Sequence, residues 1–367
     1  MNILYVANMR MPTEKAHGIQ IMKACEAFAH AGHEMELVVP NRRSPIKDDP
    51  FIYYGIKSPF KITRLFTTDT VGWGVLGFVF QSALFGIVAS VYKGIKKVDV
   101  VYGRDEIVLT MIGILTKKKI IWESHDGAWN IWARYLSRRS SGIVVVTESA
   151  IDFYKKHNVP GENILAVSNG IDLDDFSNPE SKQKARSRLG LPQDEKIALY
   201  VGKLDGWKGV DTLLEASVLL SDVKVVIIGG DKGQVEKLSK RYPNVIFLGS
   251  MPYNALPNNQ AAGDVLVVPN TAKDPISVRF TSPLKLIAHM ASHSPIVVSD
   301  LPSTRFIADG VALFVKPDDP QALADGIELL SNNMRLSQEL ANKATEKVPA
   351  FSWSKRAERI LRFLASV

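Results

Sequence analysis

Short apolar runs alternate with segments of helical periodicity along most of the chain. Residues 2–7 (NILYVA) are an apolar run typical of a buried strand. Helical spacing follows, because Ile21, Cys25 and Phe28 recur at steps of four and three residues. Residues 35–40 (MELVVP) are the next apolar run. Strand, helix and strand in so short a span predict a parallel βαβ unit.

The same alternation continues through both halves of the chain. Further strands are predicted at residues 62–66, 98–102, 119–123, 142–147, 164–168, 196–202, 223–230, 245–249, 264–269, 295–299 and 312–317. Helices in the second half are predicted at residues 282–292, 319–331 and 355–365. The pattern predicts doubly wound α/β sheets, which bind ligands outside the carboxyl ends of their strands.

One apolar segment, residues 71–92, needs a different interpretation. It carries no charged residue and is long enough to span a bilayer. Glycine, glutamine and serine residues dilute it, and folded patterns lie on both sides. These features favour a buried or membrane-facing helix of a soluble domain over a spanning helix. Lys93, Lys96 and Lys97 follow at once, which is typical of an interfacial helix at an anionic leaflet.

The length of 367 residues exceeds what one hydrophobic core usually supports and predicts two domains. An Asn169-Gly170 turn closes the first half, since this pair supplies a positive φ at little cost. Residues 174–195 are polar and lack strand alternation, so a linker is expected to continue to about residue 190. The two domains are therefore placed at residues 1–170 and 171–350.

Composition narrows the class of protein without naming it. The hydrophobic fraction of 46% and the charged fraction of 23% are those of an ordinary globular protein. The net charge of +7 suits a phosphorylated ligand, an anionic membrane surface or a nucleic acid, and does not choose among them. The single cysteine, Cys25, excludes an intrachain disulfide framework and fits a reducing compartment. Residues 1–7 lack the basic start of a cleavable signal, so a cytoplasmic location is expected.

A basic loop that contains glycine follows the predicted strand at residues 196–202. Gly202 ends the strand, Lys203 and Lys208 follow, and an amphipathic helix is predicted from about residue 211. This is the layout of a phosphate site, because glycine lets the backbone approach a ligand and ammonium groups neutralise phosphate oxygens. A solvated loop with two surface lysines is the alternative.

Polar residues also cluster at the carboxyl end of the predicted strand at residues 119–123. The chain there reads Glu123-Ser124-His125-Asp126, and doubly wound folds place their chemistry at this end of the strands. A histidine can donate to an oxygen or accept its proton near neutral pH. A loop histidine bonded to the backbone is the alternative. Glu123 or Asp126 could orient His125 or cap the next segment.

Together these motifs resemble the family 4 glycosyltransferases, which are retaining enzymes of the GT-B fold. Residues 200–204 (YVGKL) and 208–209 (KG) resemble that family's YVGRL and KG, and residues 123–126 resemble its E-x-H-D segment. Further matches are residues 168–172 (SNGID), 247–249 (FLG) and 264–269 (DVLVVP). The resemblance spans nearly the whole chain. It implies two Rossmann-like domains facing across a cleft, with a terminal helix at residues 351–367 crossing back to the first domain.

The resemblance also implies roles for individual residues. Lys203, usually Arg in the family, and Lys208 would grip the donor diphosphate next to Gly202. His125 would lie beside the transferred sugar. A glycine in the family's first loop lets the backbone approach the donor phosphate, and Gly18 is the matching position. A role for Gly18 only in starting the first helix, expected from about residue 19, stays equally open.

Residues 270–292 depart most from the family. Its S-P-x-K helix opening is present as Ser282-Pro283-Leu284-Lys285. This opening predicts Ser282 as N-cap and Pro283 as first helical residue, with free N–H groups facing a phosphate. Ala288, however, stands where the family has the glutamate that binds the donor ribose.

Other positions near this helix could compensate for the missing glutamate. Phe280 stands at the family's first glutamate, and Asp274, six residues earlier, resembles that residue's context. His289 is the candidate for the ribose contact, whose loss costs roughly 1.5–3 kcal/mol. His289 and His293 have the spacing of two metal ligands on one helix face, but no third ligand is evident and no metal site is expected.

The expected protein is a metal-independent, retaining glycosyltransferase that uses a nucleotide-diphosphate sugar and no other cofactor. The acceptor, a glycan or a lipid-linked molecule, would bind mainly to the first domain and the donor to the second. Lys203, Lys208 and the helix N-terminus at Ser282 would stabilise the leaving diphosphate. A nucleotide-binding partner protein that has lost catalysis, suggested by Ala288, and a nucleotide-sugar epimerase are the alternatives.

The expected partners are the nucleotide sugar, the acceptor and an anionic membrane surface. Nucleic acid is not expected, because no aromatic and basic recognition module is evident. The apolar helix at residues 71–92 suggests a peripheral position on the inner face of the membrane. The sequence leaves open the base, the sugar, the acceptor, the linkage and the oligomeric state.

Overall fold

The computed structural model describes residues 1–127, 129–204 and 206–367. Its strands are β1 Asn2–Val6, β2 Glu34–Pro40, β3 Lys61–Leu65, β4 Val100–Gly103, β5 Lys119–Ser124, β6 Gly142–Val145, β7 Ile164–Ala166, β8 Lys196–Val201, β9 Val223–Ile228, β10 Ile246–Gly249, β11 Val265–Val268, β12 Ile296–Ser299 and β13 Leu313–Val315. Every strand that the apolar runs predict is present, and its ends lie within two residues of the prediction.

Helices fill the segments between these strands. They are α1 Ala16–His30, α2 Pro50–Tyr53, α3 Gly74–Val91, α4 Glu106–Leu115, α5 Ile131–Arg139, α6 Glu148–Lys156, α7 Lys182–Leu189, α8 Val210–Ala216, α9 Lys232–Arg241, α10 Leu256–Gln260, α11 Leu284–Met290, α12 Pro302–Ala308, α13 Pro320–Asn332, α14 Met334–Lys347 and α15 Trp353–Ser366. Short polar side chains begin several of them. Asp105 accepts from the Val108 N–H at 3.0 Å before α4, and Asn130 accepts from the Trp132 N–H at 2.9 Å before α5.

The chain divides into two compact units, of which the first comprises Met1–Gly170 with Trp353–Val367 and the second Ile171–Ser352. The first unit has a seven-stranded parallel sheet in the order β3-β2-β1-β4-β5-β6-β7. Its strand order reverses between β1 and β4. Ligands of doubly wound sheets bind at such a switch point, outside the carboxyl ends of the strands.

The terminal helix α15 completes the core of the first unit. Ile360 and Leu364 are buried in the same cluster as Tyr5, Phe28 and Tyr102. The rings of Phe28 and Tyr102 meet edge to face, with centroids 5.8 Å apart. Residues at the end of the chain therefore belong to the first unit, and their side chains reach the sheet that carries β1 and β4.

The second unit repeats the architecture with a six-stranded parallel sheet in the order β10-β9-β8-β11-β12-β13. Its order reverses between β8 and β11, so the predicted lysine loop after β8 lies at a switch point. Helices cover both faces, which explains why the strands are almost continuously apolar. The prediction of an α/β fold with two Rossmann-like domains is confirmed.

The expectation of an irregular linker as far as residue 190 is wrong, because α7 lies within it. Ser181 caps this helix by accepting from the Lys184 N–H at 3.3 Å, and Gly190, with φ +66°, ends it. Its buried side includes Arg186, which donates to Asp264 at 2.6 Å. A helix that buries a paired arginine instead of an apolar stripe shows no hydrophobic period in the sequence.

The apolar segment Val71–Val91 forms a short 3-10 turn and then α3. By length and composition alone it could cross a membrane, with a mean hydropathy of 1.9, although core helices of soluble proteins can meet the same criterion. This helix buries polar side chains and exposes large apolar ones, which is the reverse of a core helix. Gln81 and Ser82 are buried against the protein, whereas Leu76 is 84% exposed and Phe80 is also exposed.

Candidate functional site

The first unit contains a pocket of about 660 Å³ at the switch point of its sheet. Its polar lining follows the carboxyl ends of β1, β4 and β5 and includes part of α1. These residues are Asn8, His17, Gln20, Arg104, Asp105, Glu106, Glu123, Ser124, His125, Asp126 and Asn130. Helix α3 supplies an apolar wall through Val75, Phe78 and Val79. The pocket therefore combines a charged floor with an apolar side.

Glu123 is the buried centre of the charged floor. Its Oε1 accepts from Arg104 Nη2 at 2.9 Å and from Arg356 Nη2 at 2.7 Å. The Tyr102 hydroxyl donates to its Oε2. Burial alone would raise the pKa of Glu123, but the guanidinium groups of Arg104 and Arg356 hold that pKa well below its usual range. The carboxylate is therefore ionised at neutral pH, and its charge is balanced by bonded partners.

The same carboxylate fixes the state of His125. His125 Nε2 lies 2.6 Å from Glu123 Oε1, and an ionised carboxylate can only accept, so Nε2 carries the proton. Burial and the charge of Arg104 lower the pKa of His125 below its ordinary value, although Glu123 acts in the opposite direction. At neutral pH the ring is therefore neutral, and Nδ1 is left as a hydrogen-bond acceptor.

The two arginines come from distant parts of the first unit. Arg356, on α15, also donates through Nε to the Ser168 carbonyl oxygen at 3.1 Å. Arg104, after β4, donates through Nη1 to Gln20 on α1 at 2.7 Å. Glu123 and His125 are thus held by groups from α15, from the loop after β4 and, through Gln20, from α1. Such redundancy preorganises the polar groups of a site.

The pocket lining also contains acidic residues. Glu106, the first residue of α4, accepts from Asn130 Nδ2 at 2.6 Å. Burial raises the pKa of Glu106 to about 7, and the carboxylates of Asp126 and Asp105 also act to raise it. On the basic side, burial and then the Arg104 charge lower the pKa of His17 to about 4. Glu106 is therefore partly ionised near neutral pH, whereas His17 is neutral.

The lysine loop occupies the switch point of the second unit. Lys203 is exposed, and its carbonyl oxygen accepts from the Tyr200 hydroxyl at 2.6 Å. Lys208 is partly buried, with its Nζ 3.4 Å from the centroid of the Trp207 ring. Gly209 has φ +68°, and a Cβ there would lie 1.8 Å from the Pro269 carbonyl oxygen. Glycine therefore lets the loop pack against the end of β11.

Comparison with known proteins identifies the family of this chain. Residues 18–175 match Glycosyltransferase Family 4, and residues 195–333 match Glycosyl transferases group 1. The first match contains the Asn169-Gly170 turn, and the two matches together include His125 and the lysine loop. The chain belongs to the family 4 glycosyltransferases.

Two relatives of this family 4 member illustrate the extent of the similarity. The D-inositol 3-phosphate glycosyltransferase of Mycolicibacterium smegmatis is 30% identical over 60% of this chain and 51% of that protein. The phosphatidyl-myo-inositol mannosyltransferase of Mycobacterium tuberculosis is 28% identical over 56% of this chain and 55% of that protein. The matched part of the chain thus spans about half the length of these curated relatives.

The fold is also that of solved GT-B structures. Anabaena HepE in complex with UDP-glucose aligns over 100% of both chains with a TM-score of 0.76 and 16% sequence identity. At this identity the likeness concerns the fold.

The structure of this family 4 member places Gly18 inside α1, which begins at Ala16 and not near residue 19 as predicted. A Cβ at Gly18 would lie 2.4 Å from the Tyr54 hydroxyl oxygen. That hydroxyl donates to the Thr13 carbonyl oxygen at 2.7 Å. Packing between α1 and Tyr54 therefore accounts for glycine at this position without a ligand.

The predicted start of the helix at Ser282 is wrong. The five-residue π-helical turn Ile276–Phe280 comes first, and Pro283 is the N-cap of α11. Leu284 is the first helical residue, and α11 has seven residues. Pro283 has ψ 97°, which lies outside the helical region, so it cannot occupy the first helical position. Ser282 is buried one residue earlier in the chain.

Two residues predicted near the donor ribose have other surroundings. The Asp274 carboxylate accepts from the Ile276 N–H at 2.8 Å and so caps the π-helical turn. His289 is fully buried, with its Nδ1 2.8 Å from Gln260 Nε2. Burial, followed by the Lys285 charge, lowers the pKa of His289 to about 3. His289 is therefore a neutral residue inside the second unit.

The positions of the missing glutamates lie within the core. Ala288 is buried in an apolar cluster, and Phe280 is also buried. His293 lies beyond the end of α11, with φ +57°, so the spacing of His289 and His293 does not place them on one helix face. Across residues 1–127, 129–204 and 206–367, no group of three or more His, Cys, Asp or Glu side chains is placed to hold a metal ion.

The sequence interpretation missed several residues of the first site. Arg104 and Glu106 follow β4 directly, so the rule that drew attention to the end of β5 could also have identified them. Asn130 is the N-cap of α5. Arg356 carries no comparable signal, because 233 residues separate it from Glu123 in the sequence.

Proposed function

We propose that this protein is a retaining, metal-independent hexosyltransferase that uses a nucleotide-diphosphate sugar and a glycan or lipid-linked acceptor. The observation that supports it most is the pocket of the first unit, in which Glu123 holds a neutral His125. In the second unit, Lys203 and Lys208 would bind the donor diphosphate. The placement of that loop at a sheet switch point supports this role.

The proposed chemistry follows from the charges that develop when the anomeric bond breaks. The leaving diphosphate gains negative charge, which Lys203 and Lys208 would stabilise. The sugar becomes oxocarbenium-like, and a neutral His125 adds no positive charge beside it. The Nδ1 atom of His125 can accept a hydrogen bond from a sugar hydroxyl. The proposal of metal independence rests on the lysine ammonium groups as the stabilising charges.

The pocket suggests an acceptor with a polar head and an apolar part. Glu106, Asp126 and the Asn130 side chain supply groups that can bind hydroxyls. Val75 and Phe78 on α3 would contact a lipid portion as it leaves the pocket. The relationship to a phosphatidyl-myo-inositol mannosyltransferase supports a lipid acceptor.

The outward face of α3 supports peripheral attachment to the cytoplasmic face of an anionic membrane. Its exposed residues are apolar, and the exposed Lys93, Lys96 and Lys97 follow it. Leu76→Glu should weaken binding to vesicles of phosphatidylcholine with phosphatidylglycerol about tenfold or more, since burying one Leu side chain contributes roughly 1.5–3 kcal/mol. Met334→Glu, at an 86% exposed site in the second unit, is the matched control. Equal loss in both variants, or no binding by the wild type, would contradict the attachment.

The donor site is tested by a thermal-shift screen of UDP, GDP, ADP and CMP with their sugars. A nucleotide present at a hundred times its dissociation constant adds about 2.7 kcal/mol of apparent stability. One nucleotide should raise the Tm of the wild type and not that of Lys208→Ala. Product analysis with that donor then establishes transfer and anomeric configuration. No shift with any nucleotide in a folded protein contradicts the proposal.

A catalytically inactive, nucleotide-binding subunit is the second candidate, favoured by one observation. Ala288, where the family has its ribose glutamate, is buried in the apolar core. Nucleotide binding without sugar transfer or donor hydrolysis would support this candidate over the transferase.

A further inference from the structure

Lys285, the second residue of α11, has surroundings unusual for a lysine. Its ammonium nitrogen is buried and has no hydrogen-bond partner among the residues that the structure describes. The nitrogen lies 4.3 Å from the centroid of the Tyr200 ring. A cation over an aromatic face gains some electrostatic attraction, but this does not replace a counter-ion.

Among the residues that the structure describes, the charge that acts on Lys285 is positive. Burial lowers the pKa of Lys285 well below its usual range, and the nearby ammonium group of Lys208 lowers it further. The Lys285 charge in turn lowers the pKa of His289, one turn later on α11. This part of the second unit therefore concentrates positive charge in a desolvated place, which is costly unless an anion binds.

Lys285 is also tied to the lysine loop. The Tyr200 ring that lies against its ammonium group carries the hydroxyl that donates to the Lys203 carbonyl oxygen. Gly209 packs against Pro269 at the end of β11, and the Thr271 N–H donates to the Trp207 carbonyl oxygen at 3.4 Å. The loop, β11 and the start of α11 thus meet at the switch point between β8 and β11.

We propose that the Lys285 ammonium group is a binding residue for the donor diphosphate, acting together with Lys208. The inference rests on the proposed function, in that the second unit binds a nucleotide diphosphate. It adds a group from α11 to the two lysines of the loop, Lys203 and Lys208. A diphosphate supplies a negative charge, which no described residue places against the Lys285 amine.

Two measurable consequences follow from this assignment. Binding of the diphosphate favours the charged form of Lys285, so the protein should take up protons when the ligand binds. Removing the amine should weaken diphosphate binding and leave the ligand-free protein at least as stable, because a buried amine without a hydrogen-bond partner is replaced by an apolar group. A residue whose role is structural would show the opposite effect on stability.

The test is isothermal titration calorimetry of the full chain with UDP, GDP and ADP and the corresponding monophosphates at pH 8. Lys285→Met keeps the length of the side chain and removes its charge, and Lys237→Met, at an exposed position of α9, is the control. We expect Lys285→Met to bind the preferred diphosphate at least tenfold more weakly. The preference for diphosphate over monophosphate should shrink, and the Tm without ligand should not fall. Lys237→Met should match the wild type.

Proton uptake by the wild type can be measured even if Lys285→Met does not fold. Titrations of the wild type in Hepes and in Tris differ in heat in proportion to the protons bound, and uptake is expected. Lys203, Lys208 and His289 remain in Lys285→Met, so uptake that survives this substitution overturns the proposal. Unchanged diphosphate affinity in Lys285→Met, or no proton uptake by the wild type, also overturns it while nucleotide binding stands. If the wild type binds no nucleotide, the proposed function fails together with this inference.

Discussion

The two switch-point sites of this protein treat buried charge in opposite ways. In the first unit, Glu123 is surrounded by Arg104, Arg356 and His125, and its charge is balanced by direct hydrogen bonds. In the second unit, the buried amine of Lys285 has the like charge of Lys208 nearby and no hydrogen-bond partner within the described residues. The Glu123 carboxylate is thus paired without a ligand, and the Lys285 amine is not.

This difference separates two ways of building a binding site. A completed network fixes the position and protonation of a group such as His125 before substrate arrives. A buried amine without a hydrogen-bond partner lowers the stability of the ligand-free protein, and it becomes a favourable ion pair when it is protonated beside a bound anion. Mutations in the two sites should therefore change stability in opposite directions, which makes the comparison testable.

The largest effect is expected from Glu123→Gln. The substitution leaves the buried guanidinium group of Arg356 without its anion, and breaking a buried ion pair from one side costs about 3–5 kcal/mol. Urea unfolding followed by tryptophan fluorescence should show this loss, because Trp73, Trp122, Trp129, Trp132 and Trp353 all lie in the first unit. A loss below about 1 kcal/mol would show that the network is not a stabilising centre.

The control for this substitution is Glu358→Gln on α15. Glu358 pairs with Lys355 at 2.8 Å on the surface, and such pairs contribute less than about 1 kcal/mol. The pKa of Glu123 is lowered in the folded state, so its contribution exists above the usual glutamate pKa and is lost as the pH falls through the lowered value. The difference between wild type and Glu123→Gln should therefore shrink on acidification.

The next largest effect is expected from His125→Ala, which tests whether the two sites have separate roles. His125→Ala should lower turnover about 10²-fold, at the lower end of the contributions of positioned polar groups in active sites. Nucleotide affinity should change little, about threefold at most, because the lysines proposed to bind the diphosphate lie in the second unit. His30→Ala, at an exposed position of α1, should leave both unchanged. A parallel loss of nucleotide affinity and turnover would contradict this division of roles.

The first site shows what local patterns can and cannot predict. Alternating apolar runs predict every strand, and the rule for strand ends locates His125 because it depends on the few residues after β5. Arg356 completes the same network from the last helix, and only the folded structure brings it to Glu123. The contacts within one strand-loop unit are therefore predictable, whereas those between sequence-distant elements are not.

The second site shows how residue type can mislead. Ser282-Pro283 resembles a helix start, but the π-helical turn before it shifts the N-cap to Pro283. The spacing of His289 and His293 suggests a shared helix face, but α11 ends at Met290. Lys285 lies within the Ser282-Pro283-Leu284-Lys285 motif. Its proposed role in binding the diphosphate depends on its burial against Tyr200, which the motif does not predict. Spacing rules assume regular geometry, and this segment is irregular.

The smallest effect concerns Glu106, the acidic counterpart of Lys285 within the first site. Glu106 has no ion pair among the described residues, and burial raises its pKa to about 7. The folded protein therefore keeps a proton between about pH 4.5 and 7 that the unfolded chain releases, so stability falls as the pH rises through this interval. Glu106→Gln should remove that fall. Its Tm should match the wild type near pH 4 and exceed it at pH 8.

The expected gain is small because Glu106 is partly exposed and solvent screens its charge. We expect about 1 kcal/mol, or about 2–4 °C in Tm for a unit of this size. Glu148→Gln is the matched control, since Glu148 is also the first residue of a helix, α6, but is exposed. Both substitutions remove a favourable charge at a helix N-terminus, so their difference isolates the effect of burial. If Glu106→Gln and Glu148→Gln have the same pH profile, the carboxyl group in the pocket is not under electrostatic strain. Of the two buried groups compared, Lys285 in the second unit would then be the one with an unfavourable electrostatic environment.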